Sequence, residues 1–230
     1  MKLTTRIAYQ FLPAHTWGQI RTDWAMTRRR WRNDKRQAVQ LLAGKRDLKL
    51  HLGCGTRFAN GWVNIDAFEQ PQLDLRWDLR DPLPCGGGVA ELIYSEHVLE
   101  HFEKEDADVL LREAFRLLAP RGRLRLGVPD AALYMSHYAA NDREFFHTLR
   151  NIGNPVDPLD TPAKVINQMF RMGGAHRFAW DFETLSQELG RAGFVQIVQW
   201  SSGHASRTDL CLDDPAHAGE TLYVEADKPA

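Results

Sequence analysis

The sequence predicts an α/β fold built on a mostly parallel sheet, and three observations predict it. Leu50–Asp66 reads as strand, glycine turn and strand, closed by an acidic residue. Compact apolar strands then alternate with a stretch of helical periodicity as far as Asp130, the order that builds a parallel sheet. The 230 residues, 43% hydrophobic and 26% charged, suffice for one full core with trimmings.

Each element follows from local chemistry. Strands are expected at Leu48–Leu52, Trp62–Asp66, Leu73–Trp77, Glu91–Ser95 and Arg123–Val128. Leu110, Leu111, Ala114, Phe115 and Leu118 recur at helical spacing, and Pro120-Arg121-Gly122 makes the turn into the fifth strand. Asp181 opens a helix that runs to Arg191 and that Gly193 closes, before two last strands at Phe194–Trp200 and Thr221–Ala226. Residues 131–180 exceed what such a fold requires. Their helical runs at Ala131–Ala140, Arg143–Leu149 and Pro162–Arg171 are rich in aromatics and methionine, and they leave from the carboxyl end of a strand, where open α/β sheets bind ligands. We expect a helical lid over an acceptor site, most of its aromatics forming the lid's own core.

The glycine turn is where chemistry enters. Gly53 and Gly55 let the backbone approach a ligand without a Cβ in the way. Asp66, ending the run Trp62-Val63-Asn64-Ile65, offers two acceptor oxygens suited to a ribose diol. The strings LHLGCG, VNID, YSEHVLEHF and LLAPRGRLRLGVPD, in that order, resemble the class I S-adenosylmethionine-dependent methyltransferases of the type 11 group. The segment INQMFRMGGAHRFAWDFETLSQELGRAGF and the final LYVEADK resemble an uncharacterised subgroup of the same family. The resemblance implies a Rossmann-like sheet of seven strands with the last inserted antiparallel beside the fifth, S-adenosylmethionine as cofactor, and methyl transfer (EC 2.1.1). It also implies roles: Gly53, Cys54 and Gly55 toward methionine and ribose, Asp66 toward the ribose hydroxyls, Asp78 and Leu79 toward the adenine edge, and Ser95 near the sulfonium.

Two features depart from the family pattern. His51 stands where most members carry an acidic residue, and Gly53 to Asp66 is too short for a full crossover helix, which is therefore expected to be a single turn or absent. The same spacing excludes a dinucleotide fingerprint, since Phe58 occupies the third glycine position.

An activated sulfonium needs an aligned acceptor and, for a hydroxyl, a base. His97 is the first candidate, followed by His101, Asp130 and His176, although Asp130 can equally cap a helix. His97-Val98-Leu99-Glu100-His101 also matches the His-x-x-Glu-His pattern of a zinc hydrolase, a remote alternative because the helix breaks near Glu103. Cys54, Cys85 and Cys211 are odd in number and widely spaced, so neither a disulfide framework nor a cysteine metal site is expected, and the reading assigns no metal.

Charge divides the chain. Residues 1–47 carry a balance of +8 and the remainder −9. This suggests a basic, aromatic N-terminal helical extension (1–47) before a methyltransferase domain (48–230, with the lid at 131–180). Residues 21–36 are suited to an anionic membrane face or RNA, or to a leader helix with solvated arginines. No run is long enough to span a bilayer, so a cytoplasmic protein, peripheral at the membrane at most, is expected. The acceptor is expected to be a hydroxyl of a small molecule or glycan, with an RNA methyltransferase and a non-catalytic cofactor-binding module in an envelope-polysaccharide pathway as alternatives.

Overall fold

A computed structural model describes residues 33–151 and 158–230. Among them, seven strands form one sheet: β1 (Leu48–Leu52), β2 (Val63–Asp66), β3 (Leu75–Arg76), β4 (Ala90–Glu96), β5 (Leu118–Pro129), β6 (Val195–Trp200) and β7 (Thr221–Asp227). The order is β3-β2-β1-β4-β5-β7-β6. β1 to β5 pair in parallel, and β7 runs antiparallel between β5 and β6. The strand order reverses between β1 and β4, which makes their carboxyl ends the switch point where such sheets take ligands. Among the described residues, no helix is long and apolar enough to cross a membrane.

The helices are α1 (Lys35–Leu42), α2 (Lys104–Leu117), α3 (Ala131–Ala139), α4 (Arg143–Thr148), α5 (Pro162–Arg171) and α6 (Phe182–Ala192). In α2, Ala107, Leu110, Leu111, Ala114 and Leu117 turn one stripe into the core, and Glu105, Asp106 and Arg116 complement the helix dipole. Asp181 caps α6 by accepting from Thr184 N at 2.8 Å, and Gly193 closes it at φ 105°. A Cβ at Gly193 would lie 2.9 Å from the Phe115 ring, so both the conformation and the packing require glycine there. Ala38 and Leu42 of α1 are fully buried in the main core.

The two sheet faces are covered differently. Leu50, Leu52, Ile93, Leu124, Leu126, Leu222 and Val224 face the main core with the α2 and α6 stripes. The alternate residues Leu92 and Tyr94 meet Trp62 and Leu210, which come from loops. No helix lies between β1 and β2. The expected short crossover is a loop, stitched by Asn64, whose side chain accepts from Ala59 N at 2.8 Å and donates to Ala59 O and Trp62 O at 3.2 Å.

Three local expectations need correction. β3 has two residues where five were expected, because its partner β2 offers register only at Ile65 and Asp66. β5 begins at Leu118, and the expected turn at Pro120–Gly122 is a bulge inside it, with Arg121 at φ 65° and the register shifting opposite Ala90–Leu92. After β4 there is only a 3-10 turn, Leu99–His101, so His97 and His101 do not share a helical face.

His51 sits on the loop-covered face, edge-on to Tyr94 with centroids 5.2 Å apart and only 5% exposed. Burial, aided by the charge of Arg57 and opposed by Asn64, pushes its pKa down to about 4. The unfolded chain therefore takes up this proton first as pH falls. The stability His51 protects is complete above its unfolded value near 6.5 and is lost toward pH 4, at about 1.4 kcal/mol per pH unit. Urea unfolding of wild type and His51→Asn between pH 7.5 and 5 should show this component of the slope in wild type alone. Equal slopes would place His51 in a solvated site.

Candidate functional site

The glycine turn closes onto the segment after β4. Gly53 (φ 70°) and Gly55 (φ 53°) are both left-handed, and Gly53 N and Cys54 N donate to Ile65 O at 2.8 and 3.2 Å, which fastens the turn to β2. A Cβ at Gly53 would overlap Val98 Cγ2, whereas one at Gly55 would meet nothing within 4 Å. Gly53 thus serves close packing on Val98, and Gly55 leaves backbone open to a ligand. Cys54 is buried, and burial with the Asp66 charge pushes its thiol up to about 12, so it is no nucleophile at neutral pH.

Asp66 shapes the same turn. Its Oδ2 accepts from Gly55 N at 2.9 Å and its Oδ1 from Phe68 N at 2.7 Å, so each oxygen keeps capacity for one further donor. At the end of β3, Asp78 is already engaged: its carboxylate holds Arg80, and its backbone N donates to Asn33 Oδ1 at 2.8 Å. Leu79 is packed in the main core. Ser95 Oγ donates to Leu52 O at 2.9 Å, tying the ends of β4 and β1 together.

Beside the turn lies a cluster of histidines and carboxylates. His97, at φ 53°, lies 2.9 Å through Nε2 from Thr221 Oγ1 and 3.2 Å through Nδ1 from Glu100 Oε1. Thr221 spends its only hydroxyl proton on His217 O, so His97 Nε2 must be the donor. Burial opposes charging of His97, but the Glu100 carboxylate, helped by Glu220 and Glu96, outweighs it and raises the pKa. The His217 ring lies 4.3 Å from that of His97, and its Nδ1 donates to Glu220 Oε1 at 2.7 Å. Glu220 Oε2 accepts from Tyr134 OH of α3.

The other three candidates fall in different roles. Asp130 caps α3, accepting from Ala132 N at 3.0 Å and Leu133 N at 3.2 Å, and burial raises its pKa. His101 Nδ1 donates to Ala175 O at 3.1 Å, and His176 Nδ1 donates to Met169 O. Their rings meet edge-on at 4.8 Å beside Glu100, away from the His97–Thr221 contact. His217, Glu220 and Thr221 escape sequence reasoning. They lie more than a hundred residues from His97 in sequence, and only the antiparallel insertion of β7, pairing Thr221 with Pro129, brings them to the switch-point edge.

A parallel sheet switched between β1 and β4, with β7 antiparallel beside β5, is the arrangement expected from the sequence, and residues 67–126 match the methyltransferase domain family. The fold is the Rossmann-like fold of the class I methyltransferases. That family match spans about a quarter of the chain, from just beyond Asp66 into β5. Comparison with curated protein sequences finds no match. Among solved structures, the chain is similar to a candidate exported protein of Bordetella parapertussis (16% identity, 85% of this chain and 66% of that one, TM-score 0.48). It is also similar to the 1,6-didemethyltoxoflavin-N1-methyltransferase of Burkholderia thailandensis, bound to 1,6-didemethyltoxoflavin and S-adenosylhomocysteine (15% identity, 96% and 92%, TM-score 0.47). A third is human N-acetylserotonin methyltransferase in complex with SAM (14% identity, 86% and 52%, TM-score 0.44). None superposes closely enough to carry a residue's role or an acceptor across.

The methyltransferase cofactor can be tested against these residues. Gly55 gives open backbone, and Asp66 gives a carboxylate with spare acceptor capacity next to it, which fits the ribose and methionine half. On the adenine side the groups of Asp78 are occupied, so the base would rest on that surface or displace Asn33 or Arg80.

Gly53→Ala should lower stability by about 1–3 kcal/mol, from a left-handed alanine plus overlap with Val98. Val98→Ala in the same chain should recover part of that loss in thermal unfolding. Lack of recovery would mean that Val98 is not what the glycine accommodates.

Proposed function

We propose that the chain transfers the methyl group of S-adenosylmethionine to a hydroxyl of a small molecule or glycan. One observation carries this reading: at the switch point, the Asp66 carboxylate is oriented by Gly55 N–H and Phe68 N–H beside a turn open at Gly55. Asp66 would hold the ribose hydroxyls, and Gly53, Cys54 and Gly55 the chain toward methionine. When bound, the cofactor supplies an activated methyl group. The protein's part is to align the acceptor oxygen and to take its proton.

His97 is a poor first base because both of its nitrogens are engaged and its charged form is favoured. His217 is better arranged. With Nδ1–H given to the Glu220 carboxylate, a neutral His217 carries its lone pair on Nε2, and Glu220 stabilises the imidazolium that forms when that nitrogen takes a proton. Tyr134, donating to the other oxygen of Glu220, fixes that carboxylate from the lid side.

We place the enzyme in the cytoplasm, with the basic segment 21–36 meeting an anionic surface, on the strength of the +8 balance of residues 1–47. Of that segment only 33–36 lie among the described residues.

Calorimetry with S-adenosylhomocysteine tests the binding half. Wild type should bind, and Asp66→Asn should weaken binding about tenfold or more, the loss of one or two hydrogen bonds to a charged acceptor. Absence of binding by wild type would sink the reading. Labelled methyl transfer into extracted small molecules and glycans tests the other half: His217→Ala should cut turnover roughly 100-fold or more with cofactor binding retained. Binding with no turnover on any acceptor would favour the non-catalytic module.

A further inference from the structure

Among the described residues, two groups of metal-type ligands lie next to each other at the edge of the sheet, and they differ in how well they are satisfied. His97, His217 and Glu220 form one. Its protons are accounted for: His97 donates to Thr221, His217 to Glu220, and Tyr134 to Glu220. Glu100, His101 and His176 form the other, and there the accounting fails.

Glu100 is 2% exposed, yet neither carboxylate oxygen has a hydrogen-bond partner. His97 Nδ1, 3.2 Å from Oε1, pairs with Glu100 in charge but lies off hydrogen-bonding geometry. His101 and His176 cannot supply the missing protons as neutral rings. Each has its Nδ1 against a backbone carbonyl, Ala175 O and Met169 O, and a carbonyl only accepts. The proton is therefore on Nδ1, and Nε2 carries a lone pair. Two imidazole lone pairs thus stand beside a buried carboxylate whose charged neighbour His97 makes it no hydrogen bond. Leaving both oxygens of such a carboxylate without a hydrogen bond is costly.

A cation resolves it. A backbone carbonyl that receives Nδ1–H and frees Nε2 is the usual outer support of a metal-binding histidine, and two imidazoles with one carboxylate suit zinc or a similar divalent transition metal better than magnesium or calcium. We propose that Glu100, His101 and His176 bind one divalent transition-metal ion, clamping the return of the lid to the turn after β4. The three ligand atoms lie within 4.8 Å of one another. A tetrahedral set with bonds near about 2.1 Å needs roughly 3.4 Å, a contraction that small side-chain rotations supply. His101 is only partly buried, so water can complete the shell.

The backbone supports the same clamp. Arg177 N and Phe178 N both donate to Glu100 O, at 2.8 and 3.3 Å, so His176 is delivered to Glu100 by the pairing of its own chain neighbours. The site does not have the helix of a His-x-x-Glu-His hydrolase, since His97 belongs to the other group and His176 takes its place. Nor does it depend on methyl transfer.

The test uses the full chain, stripped with a chelator and titrated with Zn2+ by competition against a chromophoric chelator, and with Co2+ read by its visible absorption. Wild type should bind one equivalent with a Kd below about 1 μM, show the intense bands of low-coordinate Co2+, and melt higher with metal. Glu100→Gln and His176→Ala should each lose roughly 100-fold or more in affinity, while His217→Ala binds as wild type does. Circular dichroism and S-adenosylhomocysteine calorimetry on the same variants separate loss of the site from loss of fold. Should a variant not fold, diethyl pyrocarbonate labelling of wild type should show His101 and His176 protected by Zn2+ and His217 not. Weak binding by wild type, an adventitious ion only, would overturn the proposal. So would loss of binding in His217→Ala with retention in His176→Ala.

Discussion

The site depends on how the chain leaves β4. His97 takes a left-handed conformation, φ 53°, which a branched or bulky residue rarely adopts and which costs about 1–2 kcal/mol. The surroundings offset that cost: His97 N donates to Gly127 O at 2.9 Å, and the ring is held by Thr221 on one side and Glu100 on the other. The turn then sends Val98 down onto Gly53 and Glu100 into the interior, while the 3-10 turn to His101 ends the segment. Had β4 run on into a regular α-helix, Val98 would not close on the glycine turn and Glu100 would not meet His176. One backbone conformation thus fixes both the wall of the glycine turn and the place of the buried carboxylate.

The missing first crossover helix has a second consequence. The sheet face that a helix would have covered is covered instead by Trp62 and by the loop between β6 and β7, and loops bring polar groups. Arg125, with no exposed surface, is held by Asp213 through Nε at 2.9 Å and Nη2 at 2.6 Å and by Glu225 at 3.0 Å. Glu96 gathers Tyr94, Tyr223, Arg57 and the backbone of Asp214. Such buried pairs are poor sources of net stability but costly to break singly, because the remaining charge stays in the interior. Their effect here is to fix the 201–214 loop in one register over β1, β4 and β5.

Much of this was legible in the sequence, for physical reasons that differ element by element. β1 fell at Leu48–Leu52 because a short apolar run is followed by glycine, and β4, β7 and the part of β5 from Arg123 on read as compact runs buried nearly throughout. The helices of the insertion fall at the expected runs, and the structure adds that Asp130, Asp142 and Thr161 cap them. The lid's core of Tyr134, Phe146, Leu159, Val165 and Met169 matches the reading of its aromatics as self-packing. What could not be read was long-range. That Gly53 serves Val98 rather than a ligand alone, that Asp78 is taken by Asn33 and Arg80, and that His217 and Glu220 arrive beside His97 all depend on contacts between segments whose local patterns are silent.

The lid insertion is tied at its base, which limits what it can do. Asp130 and Trp180, its two ends, form a parallel bridge, Ala131 N donates to Trp180 O at 2.8 Å, and Asp130 N donates to Glu220 O at 2.9 Å. Tyr134, one turn into α3, reaches the Glu220 carboxylate, while His176, near the far end, reaches the group around Glu100. A rigid swing of the whole insertion would break the Tyr134–Glu220 bond and part His176 from Glu100, at a cost of about 1–3 kcal/mol for the lost hydrogen bond alone. Movement is more economical in α4, whose buried Phe146 belongs to the insertion's own core, than in α5, where Met169 O and Arg171 O both accept from His176. On that account the pair of His217 and Glu220, held from the insertion by Tyr134 of α3, stays assembled whatever α4 does.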